Sequence, residues 1–228
     1  MASFFDKVKN YLTAKFIRPR YVLDRRVKTI RLGTIYGGWT ILESFLNDKS
    51  IVYCAGAGED ISFDIALAAT YNCPVYIFDP TPKAIAYVKR QKENLEKNTA
   101  SKLIMNEFGL FDKDTTLKFY APNDADHVSH SISNLQHTDN FFEAKVMALS
   151  GIMSKLEHKH IDLLKIDIEG AEYEVVSDII KNNYEIKTLC IEFHSPALKM
   201  VKAINSLQRS GYSVIDCSDY WNYTFYKI

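Results

Sequence analysis

The sequence predicts an α/β fold: a mostly parallel sheet covered on both faces by helices, closed by a C-terminal antiparallel hairpin and preceded by an N-terminal helical extension. Three observations carry this. From residue 51 onward, short apolar runs alternate with helix-length stretches, the pattern of parallel strands joined by helical crossovers. The first run breaks into Gly56-Ala57-Gly58 just before a helix, so the strand meets a tight turn. The last two apolar runs are separated by a short connection, which makes them antiparallel partners.

Taken in order, residues 3 to 16 place Phe4, Phe5, Val8, Tyr11, Leu12 and Phe16 on one helical stripe, ended by Arg18-Pro19-Arg20. Packing on the domain, or on a second subunit in a homo-oligomer, suits this short stripe better than a membrane surface. Residues 27 to 32 form a short strand, residues 36 to 39 a loop, and residues 40 to 47 a short helix. Residues 1–32 are thus an extension, and 33–228 one domain. Strands follow at 51–54, 75–78, 103–108, 161–166 and 188–193, with an added strand at 117–120. Helices are expected at 60–71, at 82–97 with Pro82 in its first turn, and at 143–157, 171–181 and 197–208. Residues 121 to 140 are polar and His-rich and read as a long loop. The chain closes with strands at 212–215 and 223–227.

The totals bound the function. Lys+Arg and Asp+Glu both number 28, so the formal charge is zero, which argues against a nucleic-acid footprint. No segment reaches the roughly 18 apolar residues a membrane span needs. The N-terminus lacks a basic region before an apolar core, so it does not read as a signal peptide. Cysteines 54, 73, 190 and 217 have no metal spacing, and buried reduced thiols fit a cytoplasmic protein.

Gly56 and Gly58 let backbone approach a ligand closely. A dinucleotide fingerprint wants a third glycine where Ile61 stands, and a pyrophosphate at the helix start, where Glu59 and Asp60 crowd. Two carboxylates favour a cation or a row of hydroxyl and amine donors. S-adenosylmethionine offers a sulfonium, an ammonium and a ribose, so the turn leans toward that cofactor over NAD. Asp79 ends the next strand, where a carboxylate accepts from ribose hydroxyls. Asn106, Gly109 and Leu110, in the third strand and the loop after it, sit at the place of an adenine edge.

Five stretches together resemble one family, the FkbM-type methyltransferases: "YGGW" at 36–39, "GAGEDISFD" at 56–64, "FDPTP" at 78–82, "LLKIDIEGAE" at 163–172 and "IEFH" at 191–194. The resemblance implies the class I methyltransferase (Rossmann-like) fold with a seven-stranded sheet. It implies S-adenosylmethionine as methyl donor and a hydroxyl acceptor on a sugar or a polyketide; a nucleotide-linked sugar for surface polysaccharide is the expected small-molecule partner. By position, it implies that Gly56, Ala57, Gly58, Glu59 and Asp60 form the methionine-side turn and that Asp79 holds the ribose. Tyr36 and Trp39 would close the cofactor pocket. Asp167 and Glu169 would follow the strand that brings polar groups to the transfer site.

A sugar hydroxyl is a poor nucleophile near neutral pH, so a base is needed within reach. Two strand ends carry candidates: Asp167, with Glu169 behind it, and Glu192 followed by His194. Glu192 and His194 point to one side of an extended chain. His194 is the expected base with Asp167 orienting it or the acceptor; Asp167 as the base itself remains open. Glu172 and Glu174 read as helix surface or N-terminal charge. Asp167, Glu169 and Glu192 are hard oxygen ligands, but no spacing demands a metal and none is expected. In the 121–140 loop, His130 and Ser131 are candidate acceptor contacts. Arg18, Arg20, Arg25, Arg26 and Lys28 either meet acceptor phosphates or form a solvated run. A nicotinamide oxidoreductase and a non-catalytic adenosine-binding module remain as other readings.

Overall fold

The computed structural model describes residues 21, 23–24, 26–120, 141–194 and 196–227. The expected helix at 3–16, the residues Arg18, Arg20 and Arg25, and the loop with His130 and Ser131 lie outside these residues. Arg26 pairs with Asp24 at 2.7 Å, so this part of the basic run is already partnered.

The centre is a seven-stranded sheet built from β3 (Val52–Ala55), β4 (Val75–Phe78), β5 (Leu103–Asn106), β9 (Ile161–Ile166), β10 (Ile186–Glu192), β11 (Ser213–Ser218) and β12 (Asn222–Tyr226). In space the order is β11-β12-β10-β9-β3-β4-β5. The pairs among β3, β4, β5, β9 and β10 are parallel, whereas β12 runs antiparallel to both β10 and β11. This is the predicted parallel sheet with its closing hairpin. Strands β3, β9 and β4 are buried almost throughout, as befits strands covered on both faces. Helices α1 (Ser62–Tyr71), α2 (Pro82–Glu93), α3 (Lys97–Lys102), α4 (Leu149–Lys155), α5 (Glu172–Asn182) and α6 (Ala197–Arg209) supply the cover. Two apolar layers result, one around Tyr53, Ile166, Val175 and Phe225, the other around Cys54, Phe63, Leu67 and Ile77.

Three expectations are corrected. Residues 40–47 do not form a helix: β2 (Trp39–Leu42) pairs antiparallel with β1 (Thr29–Leu32), and turns follow. Its buried Trp39, Ile41 and Leu42 pack on the domain, and Thr40 and Ile41 are β-branched. Residues 143–148 belong to β8 (Phe141–Ala148), with only Leu149–Lys155 helical. The strand alternates exposed Phe141, Glu143 and Lys145 with more covered Phe142, Ala144 and Val146, a period of two. The helix from Pro82 stops at Glu93, and α3 begins only at Lys97. Strand β8 joins β6 (Gly109–Phe111) and β7 (Thr115–Tyr120) in a separate three-stranded sheet.

The order of connection reverses between β3 and β9: the chain steps outward through β4 and β5 on one side and through β10 on the other. In open α/β sheets a ligand crevice forms outside the carboxyl ends of strands at such a reversal.

Candidate active site

A cavity of about 870 Å³ lies there, within the size range of small-molecule sites. Tyr36, Trp39, Gly56, Ala57, Gly58, Glu59, Asp60, Asp79, Gly109, Leu110, Asp167, Glu169 and Glu192 all border it, so the structure gathers these predicted residues in one place. Asn106 does not border it; its side-chain amide donates to the Ile77 and Ile104 carbonyls. His194 does not border it either; its imidazole reaches the lining residues Glu169 and Glu192.

The Gly-rich turn is fixed by backbone geometry. Gly56 has φ +87, and a Cβ there would fall 1.7 Å from the Asp167 carbonyl, so only glycine lets the ends of β3 and β9 approach this closely. Gly58 has φ +51 with open space where a Cβ would point. Asp79 holds the turn from below: one carboxylate oxygen accepts from the Ala57 and Gly58 amides at 2.9 and 3.2 Å. The other accepts from the Thr81 amide and hydroxyl at 2.8 and 2.6 Å. Asp79 is therefore both a cavity residue and the anchor joining the turn to the start of α2.

Asp60 has a comparable double role. It accepts from the Ser62 amide at 2.8 Å and the Thr34 hydroxyl at 2.7 Å, tying the start of α1 to the 34–38 loop. Burial pushes its pKa up, but the hydrogen bonds from Ser62 and Thr34 outweigh that and hold it below its ordinary value. The loop carries Ile35 and Tyr36 at 97 % and 91 % exposure on the rim of the cavity. Glu59 pairs with Lys83 at 3.3 Å on the surface.

At the other end of the cavity, β9 and β10 deliver the charged groups. Their last paired residues are Ile166 and Ile191, so Asp167 and Glu192 follow side by side. Lys165, buried in β9, donates to the Gly56 carbonyl and meets Asp167 Oδ2 at 3.2 Å. Sequence reading passed over this lysine. The signal was there, because a lysine inside an apolar parallel strand needs a partner when buried.

His194 Nδ1 lies 2.8 Å from Glu172 Oε1. Its Nε2 lies 3.3 Å from Glu169 Oε2 and 4.0 Å from Glu192 Oε1. Two expectations change here. The carboxylate that orients the imidazole is Glu172 rather than Asp167, which pairs with Lys165. Glu172 is not surface: it is fully buried and also accepts from the Gly170 amide. Burial alone would lower the His194 pKa, but the hydrogen bond and charge of Glu172, with Glu169 and Asp167 nearby, raise it to about 10. Burial first, and then the Asp167 charge, push Glu192 up to about 7. Asp167, Glu192 and His194 each offer a ligand atom, all within 4.8 Å of one another. Glu169 sits at φ +52, a left-handed backbone that side chains disfavour and that persists where surrounding structure imposes it.

The Methyltransferase FkbM domain matches residues 52–214, which include the turn, Asp79, the Lys165–Glu172 stretch and His194. The chain belongs to the FkbM methyltransferase family. S-adenosylmethionine is its cofactor, as the turn suggested, and the nicotinamide reading falls with this membership. No curated protein matches the chain. Among solved structures it is similar to a precorrin-6y C5,15-methyltransferase from Geobacter metallireducens GS-15 (14 % identity, 80 % of this chain and 82 % of that one, TM-score 0.45). It is also similar to the METTL16 MTase domain (11 % identity, 81 % and 61 %, TM-score 0.46) and to TYW2 of M. jannaschii in complex with AdoMet (15 % identity, 80 % and 71 %, TM-score 0.38). The family assignment rests on the domain match rather than on these likenesses.

The residues present fit the cofactor. Carboxylates at 59, 60, 79 and 167 suit a sulfonium, an ammonium and ribose hydroxyls and would repel a pyrophosphate. The open space over Gly58 admits a ligand against bare backbone. Among the described residues, no helix is long and apolar enough to cross a membrane.

Proposed function

We propose that this FkbM-family methyltransferase is an O-methyltransferase acting on a hydroxyl of a sugar, with a nucleotide-linked sugar for surface polysaccharide as the favoured acceptor. The observation that carries this reading is the cluster of Asp167, Glu192 and His194, of which Asp167 and Glu192 border the cavity shared with the Gly56–Gly58 turn and His194 stands behind them. When bound, S-adenosylmethionine supplies an electrophilic methyl carbon: the acceptor oxygen bonds to it, the carbon–sulfur bond breaks with its electron pair on sulfur, and the hydroxyl proton is lost.

The chain's part is to position the acceptor and to take that proton. Positioning alone can contribute about 7–11 kcal/mol, and a base in reach about 10²–10⁴-fold in rate. His194, charged and held by Glu172, fixes the acceptor oxygen. Glu192, with its proton affinity near neutrality, accepts the proton. The acidic cluster gives several acceptors for neighbouring hydroxyls, which suits a polyol better than a flat phenol. Asp60 and the Tyr36 loop close the cofactor side, and Glu169 contacts the acceptor. A cytoplasmic location is part of this reading, supported by free cysteines of which Cys54, Cys73 and Cys190 are buried.

A polyketide or other small-molecule hydroxyl is the second reading, favoured by the apolar Ile35 and Phe119 on the cavity rim. A panel of sugar nucleotides, polyketides and phenols, incubated with S-adenosylmethionine and read by mass spectrometry for a gain of one methyl group, decides between them. Methyl gain only on polyketides or phenols would reject the sugar. Cofactor binding with no acceptor methylated across a broad panel would favour a binding module.

A further inference from the structure

We propose that Asp167, Glu192 and His194 bind a single hard divalent cation of the Mg²⁺ or Mn²⁺ type at the acceptor end of the cavity. The proposal rests on the reading of this cavity as the methyl-transfer site and adds what balances its carboxylates.

Four observations carry it. The three ligand atoms lie within 4.8 Å of one another. Ligands on opposite sides of an ion with bonds near 2.2 Å stand about 4.4 Å apart, so small side-chain adjustments close the shell. The imidazole is oriented as a metal ligand requires. Glu172, without solvent exposure, takes Nδ1 and leaves Nε2 facing the carboxylates. Metal-bound histidines almost always hand their second nitrogen to such a carboxylate. A helix N-terminus needs no imidazole for its charge, so capping of α5 does not explain that contact.

The charges are also unbalanced. With His194 neutral, as a ligand must be, Asp167, Glu169, Glu172 and Glu192 stand against Lys165 alone, and the cation takes the place of the proton on Nε2. Finally, the ligands sit on rigid elements. Asp167 and Glu192 follow the last paired residues of neighbouring parallel strands, and Lys165 holds Oδ2 of Asp167, directing Oδ1 to other partners. The donor set of two carboxylates and one imidazole suits Mn²⁺ or Mg²⁺ better than a thiophilic ion.

Asp167 and Glu192 both border the cavity, so the cation meets a bound acceptor. A hydroxyl joining its shell has a lowered pKa. In the cation-bound chain the cation, rather than a charged His194, fixes the acceptor oxygen, and the lowered pKa takes over the demand otherwise placed on Glu192 as base.

The test is Mn²⁺ titration of metal-stripped protein followed by electron paramagnetic resonance, with Mg²⁺ as competitor. The expected result is one Mn²⁺ per chain, displaced by Mg²⁺, with affinity lowered at least about 10-fold in Glu192→Gln and in Asp167→Asn. Circular dichroism checks that both variants fold; Glu192→Gln, an isosteric change on a side chain 35 % exposed, keeps the test decisive if Asp167→Asn does not. Calorimetry with S-adenosylmethionine on the same samples separates the two readings. A chain that binds S-adenosylmethionine but shows no Mn²⁺ site, or a site indifferent to Glu192→Gln, overturns the cation and leaves the methyl-transfer reading standing.

Discussion

The buried Glu172 carboxylate holds Nδ1 of His194 at 2.8 Å, and so decides which imidazole nitrogen the cavity meets. Glu172→Gln keeps the shape and removes the charge. Turnover should fall about 10–100-fold, the usual effect of losing an orienting carboxylate. The His194 pKa, raised to about 10 chiefly by this partner against the effect of burial, should drop, which imidazole proton shifts in NMR report directly. Glu172→Ala should also destabilise the fold by roughly 1–3 kcal/mol, since it removes the buried acceptor of His194 Nδ1 and of the Gly170 amide.

Gly56 and Gly58 look alike in sequence and should respond differently to alanine. At Gly56 a methyl collides with the Asp167 backbone at φ +87, and the β3–β9 ends must separate. We expect a loss of more than about 4 kcal/mol, or no folded protein. At Gly58 nothing stands within 4 Å, so only the left-handed backbone opposes the substitution, at about 1–2 kcal/mol. Urea unfolding of the two variants measures the contrast.

Asp79→Asn tests the anchor beneath the turn. An amide has one oxygen to accept with, whereas the Ala57, Gly58 and Thr81 donors use both oxygens of the carboxylate. At least one pair of these donors loses its acceptor, at a cost of about 1–3 kcal/mol. Thermal melting should show that loss. S-adenosylmethionine affinity, measured by calorimetry, should weaken at least 10-fold because the turn is no longer preformed.

Asp64, in the first turn of α1, should make stability depend on pH. It is buried, one of its oxygens has no hydrogen-bond partner, and burial raises its pKa to about 6, with the Lys165 charge opposing that rise. An acid whose folded pKa is raised contributes stability that is full below its unfolded value near 4. That contribution is lost as pH rises through about 6. The two-unit shift corresponds to about 3 kcal/mol at most. Asp64→Asn should therefore gain stability relative to the wild type between pH 5 and pH 8, read from urea midpoints across that range.

The parallel strands, the closing hairpin and most of the cavity rim were legible because each depends on local pattern. Val52–Ala55 and Ile161–Ile166 are apolar throughout, and Gly56-Ala57-Gly58 marks a turn whatever surrounds it. Strands β2 and β8 were misread as helices because their partners decide their state. Ile41 is held by Ile30, and Val146 by Gly109 and Thr115, pairings that no window along the chain displays. The orienting role of Glu172 was hidden for the same reason. An acid in the first turn of a helix ordinarily looks outward, and only the fold brings it against a histidine 22 positions later. Asn106 is the reverse case: its position suggested a ligand contact, but nearby carbonyls of β4 and β5 take its amide.

The three-stranded sheet of β6, β7 and β8 stands apart from the central one yet brings Phe119, stacked on Phe142 at 5.5 Å, to the cavity rim. Descendants of this chain can therefore explore new chemistries along β7 and β8 while the donor-holding half, with Gly109 and Leu110 of β6, stays untouched, since a change there leaves the Gly56–Asp167 approach and the Asp79 anchor as they are. Lineages built this way should diverge fastest around Phe119 and Phe142, and grafting β7 and β8 between relatives should exchange their acceptor preference without exchanging their methyl donor.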